Sequence, residues 1–177
     1  SQAVVDEAKS IVSTIESHES NIDGSVSTIN YTQANFKETD AILCRNTAPL
    51  VSLAYKLISN GTSCKVLGSE IGKSLSRLIA KMDAEEIPML EEKLTNYLEK
   101  EHIRLIKRDQ EYKIQGILDK VECLRVVIDN LPPSDMTLER LDFQISKLFG
   151  DDVKNMLTLS TIHKAKGLEW FNVYIYM

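Results

Sequence analysis

Two short apolar segments on either side of an amphipathic stretch constrain the fold of this chain most strongly. Residues 40–45 and 63–67 are apolar runs of the length and character of buried strands. Between them, apolar residues recur at helical spacing over Thr47–Ser59, and Asn60-Gly61 predicts the end of that helix. A strand, a helix and a strand in this order predict a βαβ unit, which implies a parallel pair joined by a right-handed crossover.

The rest of the chain changes in character twice. Helical period dominates from 72 to 149, whereas apolar, strand-like runs return at 156–160 and at 173–177. We therefore expect an α/β fold in which a parallel sheet is interrupted by an all-helical insertion. The helices expected in the insertion, separated by prolines and by a Gly-Asp-Asp turn, span residues 73–82, 87–108, 112–131 and 137–149.

The beginning of the chain predicts one helix and a long polar loop. Residues 2–16 carry apolar side chains at helical spacing, and Ser1 is placed to cap the first turn. The polar segment 17–38 contains a short candidate strand at 26–31. Asp6-Glu7 imitates the Mg²⁺-binding carboxylates of a P-loop ATPase, but the helical period continues through the pair, so we interpret it as solvated helix charge.

Residues 68–74 imitate a P-loop without matching its spacing. The P-loop needs four residues between its first glycine and the Gly-Lys pair, so that successive backbone N–H groups surround the phosphates. Here three residues stand between Gly68 and Gly72-Lys73. We interpret the segment as a turn that opens a helix at Lys73, and we conclude that the chain has no complete nucleotide site of its own.

Composition excludes several classes of protein. Hydrophobic residues make up 43% of the 177 residues, enough for a sizeable core. The 21 Lys and Arg against 26 Asp and Glu give a net charge of −5, which excludes a generally basic nucleic-acid coat protein but leaves a local DNA site open. Aromatic residues, at 6%, are too sparse for a broad base-stacking platform.

The three cysteines and the lack of long apolar runs bear on compartment. Cys44, Cys64 and Cys123 are widely spaced and include no CxxC pair, which argues against a disulfide framework and against a zinc site, so no metal ligands are assigned. A reducing cytosol fits this pattern. No apolar run approaches the ~20 residues of a membrane span, so a membrane is not expected among the partners.

The segment 157–170 carries the strongest indication of function. A buried strand ends at Ser160-Thr161, and a tight polar turn with His163 and Lys166-Gly167 follows. Ligands of open α/β sheets bind where loops leave the carboxyl ends of strands, and hydroxyls, imidazole and free backbone N–H groups suit phosphate contacts. Gly167 lets the backbone approach a phosphate closely. Each side chain also has an ordinary interpretation, as a capped loop histidine or as solvated charge.

Residues 161–169 resemble motif V of the UvrD/Rep-type superfamily 1 DNA helicases, T-x-H-x-x-K-G-L-E, at all six fixed positions. Residues 41–50, with the helix and the glycine-containing segment up to 68, resemble that family's A-[IV]-L-x-R block, and residues 1–5 resemble the segment after its motif IV. The resemblance implies a RecA-like domain of the 2A type, without its own P-loop, over 1–72 and 153–177. It also implies a short helical 2B-like insertion over 73–152.

The same resemblance implies ATP and single-stranded DNA as ligands. Gly167 matches the position that faces the γ-phosphate, and Glu169 matches the carboxylate that accepts a hydrogen bond from the ribose. Thr161 and His163 match residues that touch the DNA strand. ATP and Mg²⁺ would be bound mainly by an N-terminal RecA-like domain of the same protein.

A second strand-end loop is implied in DNA binding. Arg45, with Asn46 or Thr47, matches the loop that holds the DNA backbone in these helicases. The insertion lacks the family's aromatic-rich G-G-x-x-F-F-x-R entry, which leaves duplex binding by the insertion unsupported. The basic residues of the segment 102–108 stand among acidic ones, and we interpret them as a solvated face.

These observations favour part of an ATP-dependent DNA helicase or translocase, in the cytoplasm of a bacterial or phage-like system or associated with the nucleoid. Both ends look cut, and the P-loop, the Mg²⁺ carboxylates and the arginines of motifs IV and VI are missing, so we expect the isolated chain to be inactive as an ATPase. Two alternatives stay open. The chain could be a non-catalytic DNA-binding or protein-interaction module, or the motor part of a helicase–nuclease.

Overall fold

The computed structural model describes residues 1–30, 34–152 and 154–176. The chain divides into two compact units, Ser1–Asn35 and Phe36–Met177, which we describe one at a time. Within the described residues, no helix is both long enough and apolar enough to cross a membrane.

The smaller unit contains one short helix, α1 (Gln2–Lys9). Ser1 caps it as predicted, since its Oγ accepts a hydrogen bond from the backbone N–H of Val4 at 3.4 Å. The helix was predicted to reach residue 16 and is shorter, because the segment 11–15 is rich in β-branched side chains that restrict χ1 in a helix. Residues 26–30 form no strand, and Tyr31 of the predicted strand lies outside the described residues.

The larger unit is built on a five-stranded, all-parallel sheet, so the predicted α/β class is confirmed. The order across the sheet is β3-β2-β4-β1-β5. The strands are β1 (Ala41–Cys44), β2 (Cys64–Leu67), β3 (Phe149–Gly150), β4 (Leu157–Thr161) and β5 (Val173–Ile175). The prediction of a last strand over 173–177 includes Met177, which lies outside the described residues.

Five helices accompany this sheet. They are α2 (Thr47–Ser59), α3 (Ser69–Met82), α4 (Ile87–Ile106), α5 (Ile114–Asp129) and α6 (Leu138–Leu148). All five were predicted, and the prolines do separate them where expected. The residue pair Phe149–Gly150 was assigned to the end of the last helix or to its break and instead forms the edge strand β3.

The predicted βαβ unit exists, but its two strands are not neighbours. β1 and β2 both pair with β4, which lies between them in the sheet. β4 therefore occupies the centre of the sheet, where the hydrogen-bonding groups of both of its edges are satisfied. Its residues Leu157–Ser160 are all buried. The prediction that β1 and β2 pair directly with each other is therefore wrong. The periodicity of a strand contains no information about which strand lies beside it.

The end of α2 follows its sequence signal closely. Gly61 has a φ of +81°, the left-handed conformation that glycine adopts without strain. Its N–H donates to the carbonyl of Ile58 at 3.0 Å, and the N–H of Thr62 donates to the carbonyl of Leu57 at 2.9 Å. These two bonds form a Schellman motif, which confirms Asn60-Gly61 as the stop.

The helices and one face of the sheet share a single hydrophobic core. Buried residues from helices on both sides of the predicted boundary at 73 belong to it, among them Leu53 of α2, Leu94 of α4 and Leu124 of α5. The opposite face of β1 presents Ala41 and Leu43 to a smaller cluster. The domain boundaries at 72/73 and 152/153 stay predictions, and Val153 itself lies outside the described residues.

All three cysteines are buried as free thiols, on β1, β2 and α5. Burial raises the pKa of Cys64 to about 11. Burial also raises the pKa of Cys123 far above its ordinary value, and the nearby charge of Asp119 adds to the effect. Cys64 and Cys123 therefore stay protonated in the folded chain at neutral pH.

Asp40, fully buried ahead of β1, offers a test of the fold. Its Oδ2 accepts the N–H of Lys37 at 2.9 Å, and its Oδ1 accepts the side-chain amide of Asn172 at 2.9 Å. Asp40→Asn turns one acceptor into a donor that faces another donor, so the free energy of unfolding should fall by ~1–3 kcal/mol. Urea denaturation measures the change. The matched control, Glu92→Gln on the exposed side of α4, should stay within ~0.5 kcal/mol of the unmodified chain, and an equally small effect of Asp40→Asn would contradict the role of this carboxylate.

Candidate nucleic-acid interface at the carboxyl edge of the sheet

The carboxyl ends of the strands meet at one edge, because the sheet is wholly parallel. The last residues of β1 and β4, Cys44 and Thr161, are register partners. The N–H of Ile162 then donates to the carbonyl of Cys44 at 3.0 Å. Arg45 and the turn after Thr161 therefore begin side by side, on strands spaced by about 4.8 Å.

The turn after β4 is held by local hydrogen bonds. The N–H of Ala165 donates to the carbonyl of Thr161 at 3.0 Å, and that of Leu168 donates to the carbonyl of Ala165 at 3.0 Å. The Thr161 hydroxyl accepts the N–H of Lys164 at 3.4 Å. Gly167 has a φ of +84°, the left-handed conformation that favours glycine, while its approach to a phosphate stays a prediction.

From this turn the chain crosses the face of β1 that the helices leave uncovered. Ala165 and the half-buried Trp170 pack against Ala41 and Leu43. The N–H of Phe171 then donates to the carbonyl of Thr39, just before the amino end of β1. The segment that carries Gly167 and Glu169 thus leads away from the carboxyl edge.

The predicted site residues fall into two places. Thr161 and His163 lie at the carboxyl edge with Arg45, Asn46 and Thr47, which are the residues predicted to contact DNA. Gly167 and Glu169, predicted to contact ATP, lie on the segment that crosses β1. Two ligands at two positions are compatible with this arrangement.

The residues that are predicted to contact DNA differ in the exposure of their side chains. Arg45 and His163 are exposed, and Asn46 is partly buried. Arg45 has no hydrogen-bond or ion-pair partner in the part of the chain that the structure describes. Thr47 is 7% exposed, so its side chain is largely withdrawn from any ligand.

Asp119 of α5 is a residue of the site that no sequence pattern predicted. Its Oδ1 and Oδ2 accept the N–H of Thr47 at 2.9 and 3.0 Å, and Oδ1 also accepts the N–H of Ala48 at 3.0 Å. A carboxylate 72 residues away in the sequence therefore occupies the N-terminus of α2, where the helix dipole favours negative charge. Only the packing of α5 on α2 brings the two together.

Asp151 occupies the N-terminus of α3 in the same way. Its Oδ1 accepts the N–H of Ser69 at 3.2 Å, and its Oδ2 accepts the Ser69 hydroxyl. These hydrogen bonds hold the pKa of Asp151 below its ordinary value. With this cap, α3 begins at Ser69 rather than at the predicted Lys73, and Gly68 alone separates it from β2. No loop is left to surround a phosphate, which is consistent with rejecting the P-loop.

An ion pair joins the turn after β4 to α3. Lys164 Nζ lies 2.9 Å from Glu70 Oε1. Their hydrogen bond raises the pKa of Lys164 and lowers that of Glu70. Lys164 is therefore a paired cation, whereas Lys166, two residues on, is exposed. Across the described ranges, no group of three or more His, Cys, Asp or Glu residues is arranged to hold a metal ion.

Gly167 and Gly116 allow the same substitution to be tested in two backbone conformations. At Gly167 the positive φ penalises any side chain although the space around it is open, so Gly167→Ala should lower the free energy of unfolding by ~1 kcal/mol. Gly116 lies in the first turn of α5 with open space around it, and Gly116→Ala should raise the same quantity by ~0.5–1 kcal/mol. Urea denaturation of both variants measures the two values, and changes of the same sign would contradict the conformation assigned to Gly167.

Comparison of this chain with protein-family models, with curated proteins and with solved structures finds no match in any of the three.

Proposed function

We propose that this chain is the 2A-type, RecA-like half of an ATP-dependent DNA helicase or translocase, and that the carboxyl edge of its sheet contacts the backbone of single-stranded DNA. The single observation that carries the proposal is the pairing of Cys44 with Thr161, which sets Arg45 beside the turn that contains His163. The two segments that resemble the helicase family thus converge at one edge.

The chemistry at this edge suits phosphate rather than bases. A guanidinium, an imidazole and an amide can each hydrogen-bond phosphate oxygens, which gives a grip independent of sequence. A motor that moves along DNA needs this kind of contact. Lys164 and the N-termini of α2 and α3 already have carboxylate partners, so the groups left for DNA are few: Arg45, Asn46 and His163, with Lys166 nearby.

The ATP contacts are proposed for the segment that crosses β1. Gly167 would face the γ-phosphate and Glu169 the ribose, while the phosphate loop and Mg²⁺ would come from an N-terminal RecA-like domain. Both ligands would then touch one continuous segment, Thr161 to Glu169, and closure around ATP could shift the DNA contacts by a hinge motion.

The finer architecture belongs to the same proposal. Helices α3 to α6 follow β2 in the chain and precede the return to the sheet, as expected for a 2B-like insertion between the two parts of a 2A domain. Because they share one hydrophobic core with α2, such an insertion would pack closely on the rest of the domain.

Single-strand binding tests the proposed edge. Arg45→Ala and His163→Ala should each weaken binding of a fluorescein-labelled oligo-dT by roughly fivefold, about 1 kcal/mol, since each removes a charge-assisted or polar phosphate contact. Fluorescence anisotropy at several salt concentrations measures the affinity. Arg45→Ala should also make the slope of log K against log salt shallower by about 0.7.

The matched control for Arg45 is Lys107→Ala, which removes an exposed cation next to the end of α4. Its effect should be small. If Arg45→Ala and Lys107→Ala weaken binding equally, the edge has no special role and the proposal fails.

A non-catalytic DNA-binding module is the second candidate, because the exposed Arg45 and His163 can contact phosphate without any nucleotide. Both candidates predict no ATP turnover by the 177-residue chain, with or without oligo-dT. Turnover in a phosphate-release assay that is lost in Glu169→Gln would contradict the assignment of phosphate chemistry to another domain. The two candidates differ in one respect: only the motor requires ATP-dependent movement along DNA.

A further inference from the structure

The carboxylate at the start of α2 lies beside the residues that are proposed to contact phosphate. Asp119 accepts three hydrogen bonds from the N–H groups of Thr47 and Ala48, at 2.9–3.0 Å. Those groups follow directly after Arg45 and Asn46. A negative charge beside a surface that binds phosphate would by itself repel the ligand.

The position of Asp119 is fixed by packing. One turn further along α5, Cys123 and Leu124 are fully buried, in the same core as Leu50 and Leu53 of α2. The two helices therefore hold Asp119 against α2 through an apolar contact that does not depend on any ligand.

The short loop between β1 and α2 is thus anchored at both ends. Cys44 is held in the sheet and accepts the N–H of Ile162, and Thr47 is held by Asp119. Only Arg45 and Asn46 lie between the anchors. Asn46 stands at the N-cap position of α2, yet its side chain makes no capping hydrogen bond. Asp119 supplies the cap instead, which leaves the Asn46 amide available to a ligand.

We propose that Asp119 is a positioning residue for DNA binding: its carboxylate caps α2 from α5 and so holds Arg45 and Asn46 in the geometry that contacts a phosphate. This inference rests on the proposed function. It assigns to the helical segment after β2 a direct part in shaping the DNA-contacting edge.

A role through charge and a role in positioning predict opposite changes in DNA affinity when Asp119 is removed. If Asp119 acted only through its charge, its removal would tighten binding of DNA, because a repulsive group would be gone. If it positions the loop, Asp119→Ala should weaken binding of oligo-dT by about five- to tenfold in spite of the lost negative charge. Asp119→Asn, which keeps one acceptor oxygen, should lie between Asp119→Ala and the unmodified chain.

The matched control is Glu122→Gln, an exposed carboxylate on the same helix. It removes the same charge and should bind oligo-dT as tightly as the unmodified chain or slightly more tightly. The double variant Arg45→Ala/Asp119→Ala should bind oligo-dT about as weakly as Asp119→Ala alone, because Asp119 is proposed to act through Arg45 and Asn46.

The measurements use the 177-residue chain at a temperature where circular dichroism shows each variant to be folded. If Asp119→Ala does not fold, Asp119→Asn and its double variant with Arg45→Ala give the same comparison. Binding by the Asp119 variants at or above the affinity of the unmodified chain would overturn the inference and leave the proposed function intact. If the losses of affinity in Arg45→Ala and Asp119→Ala add up in the double variant, the inference is likewise overturned and the proposed function is left intact. Failure of the unmodified chain to bind oligo-dT would overturn both.

Discussion

The position of β4 at the centre of the sheet is the constraint on which the rest of the larger unit depends. Because β4 lies between β1 and β2, its carboxyl end brings the turn after Thr161 next to the loop after Cys44. The connection from β4 to β5 must then pass over β1, and that path gives Ala165 and Trp170 their places against Ala41 and Leu43. A strand order in which β4 and β1 were not neighbours would separate the two loops.

The carboxyl edge is largely neutralised by the chain itself. Asp119 and Asp151 occupy the N-termini of α2 and α3, and Glu70 pairs with Lys164. Three features that could attract anions are therefore already satisfied, and what stays exposed is a small set around Arg45 and His163. The net charge of −5 is compatible with the proposed site, since the contacts proposed there are local.

Sequence reasoning succeeded where the controlling interaction is local. The stop of α2 at Asn60-Gly61 and the cap of α1 by Ser1 each depend on residues within one helical turn. The α/β class followed from apolar runs and helical spacing, and the carboxyl-edge placement of the turn after Thr161 followed from the strand before it. Each of these signals can be read from consecutive residues.

The parts that escaped prediction depend on contacts between distant residues. The early start of α3 needs Asp151, and the fixed start of α2 needs Asp119, each supplied from more than 70 positions away. The central place of β4 likewise depends on its pairing with β1 and β2, which lie about 90–120 residues earlier in the chain.

The reactivity of the three buried thiols can report when parts of the folded chain open. A thiol reacts as the thiolate, so burial protects Cys44, Cys64 and Cys123 in the folded state, while the unfolded chain exposes ordinary thiols. A raised pKa adds to the protection of Cys64 and Cys123. Each cysteine belongs to a different element, two strands and the helix that carries Asp119. The order in which an alkylating reagent reaches them would therefore distinguish separation of α5 from α2 from loss of the sheet itself, without a single engineered probe.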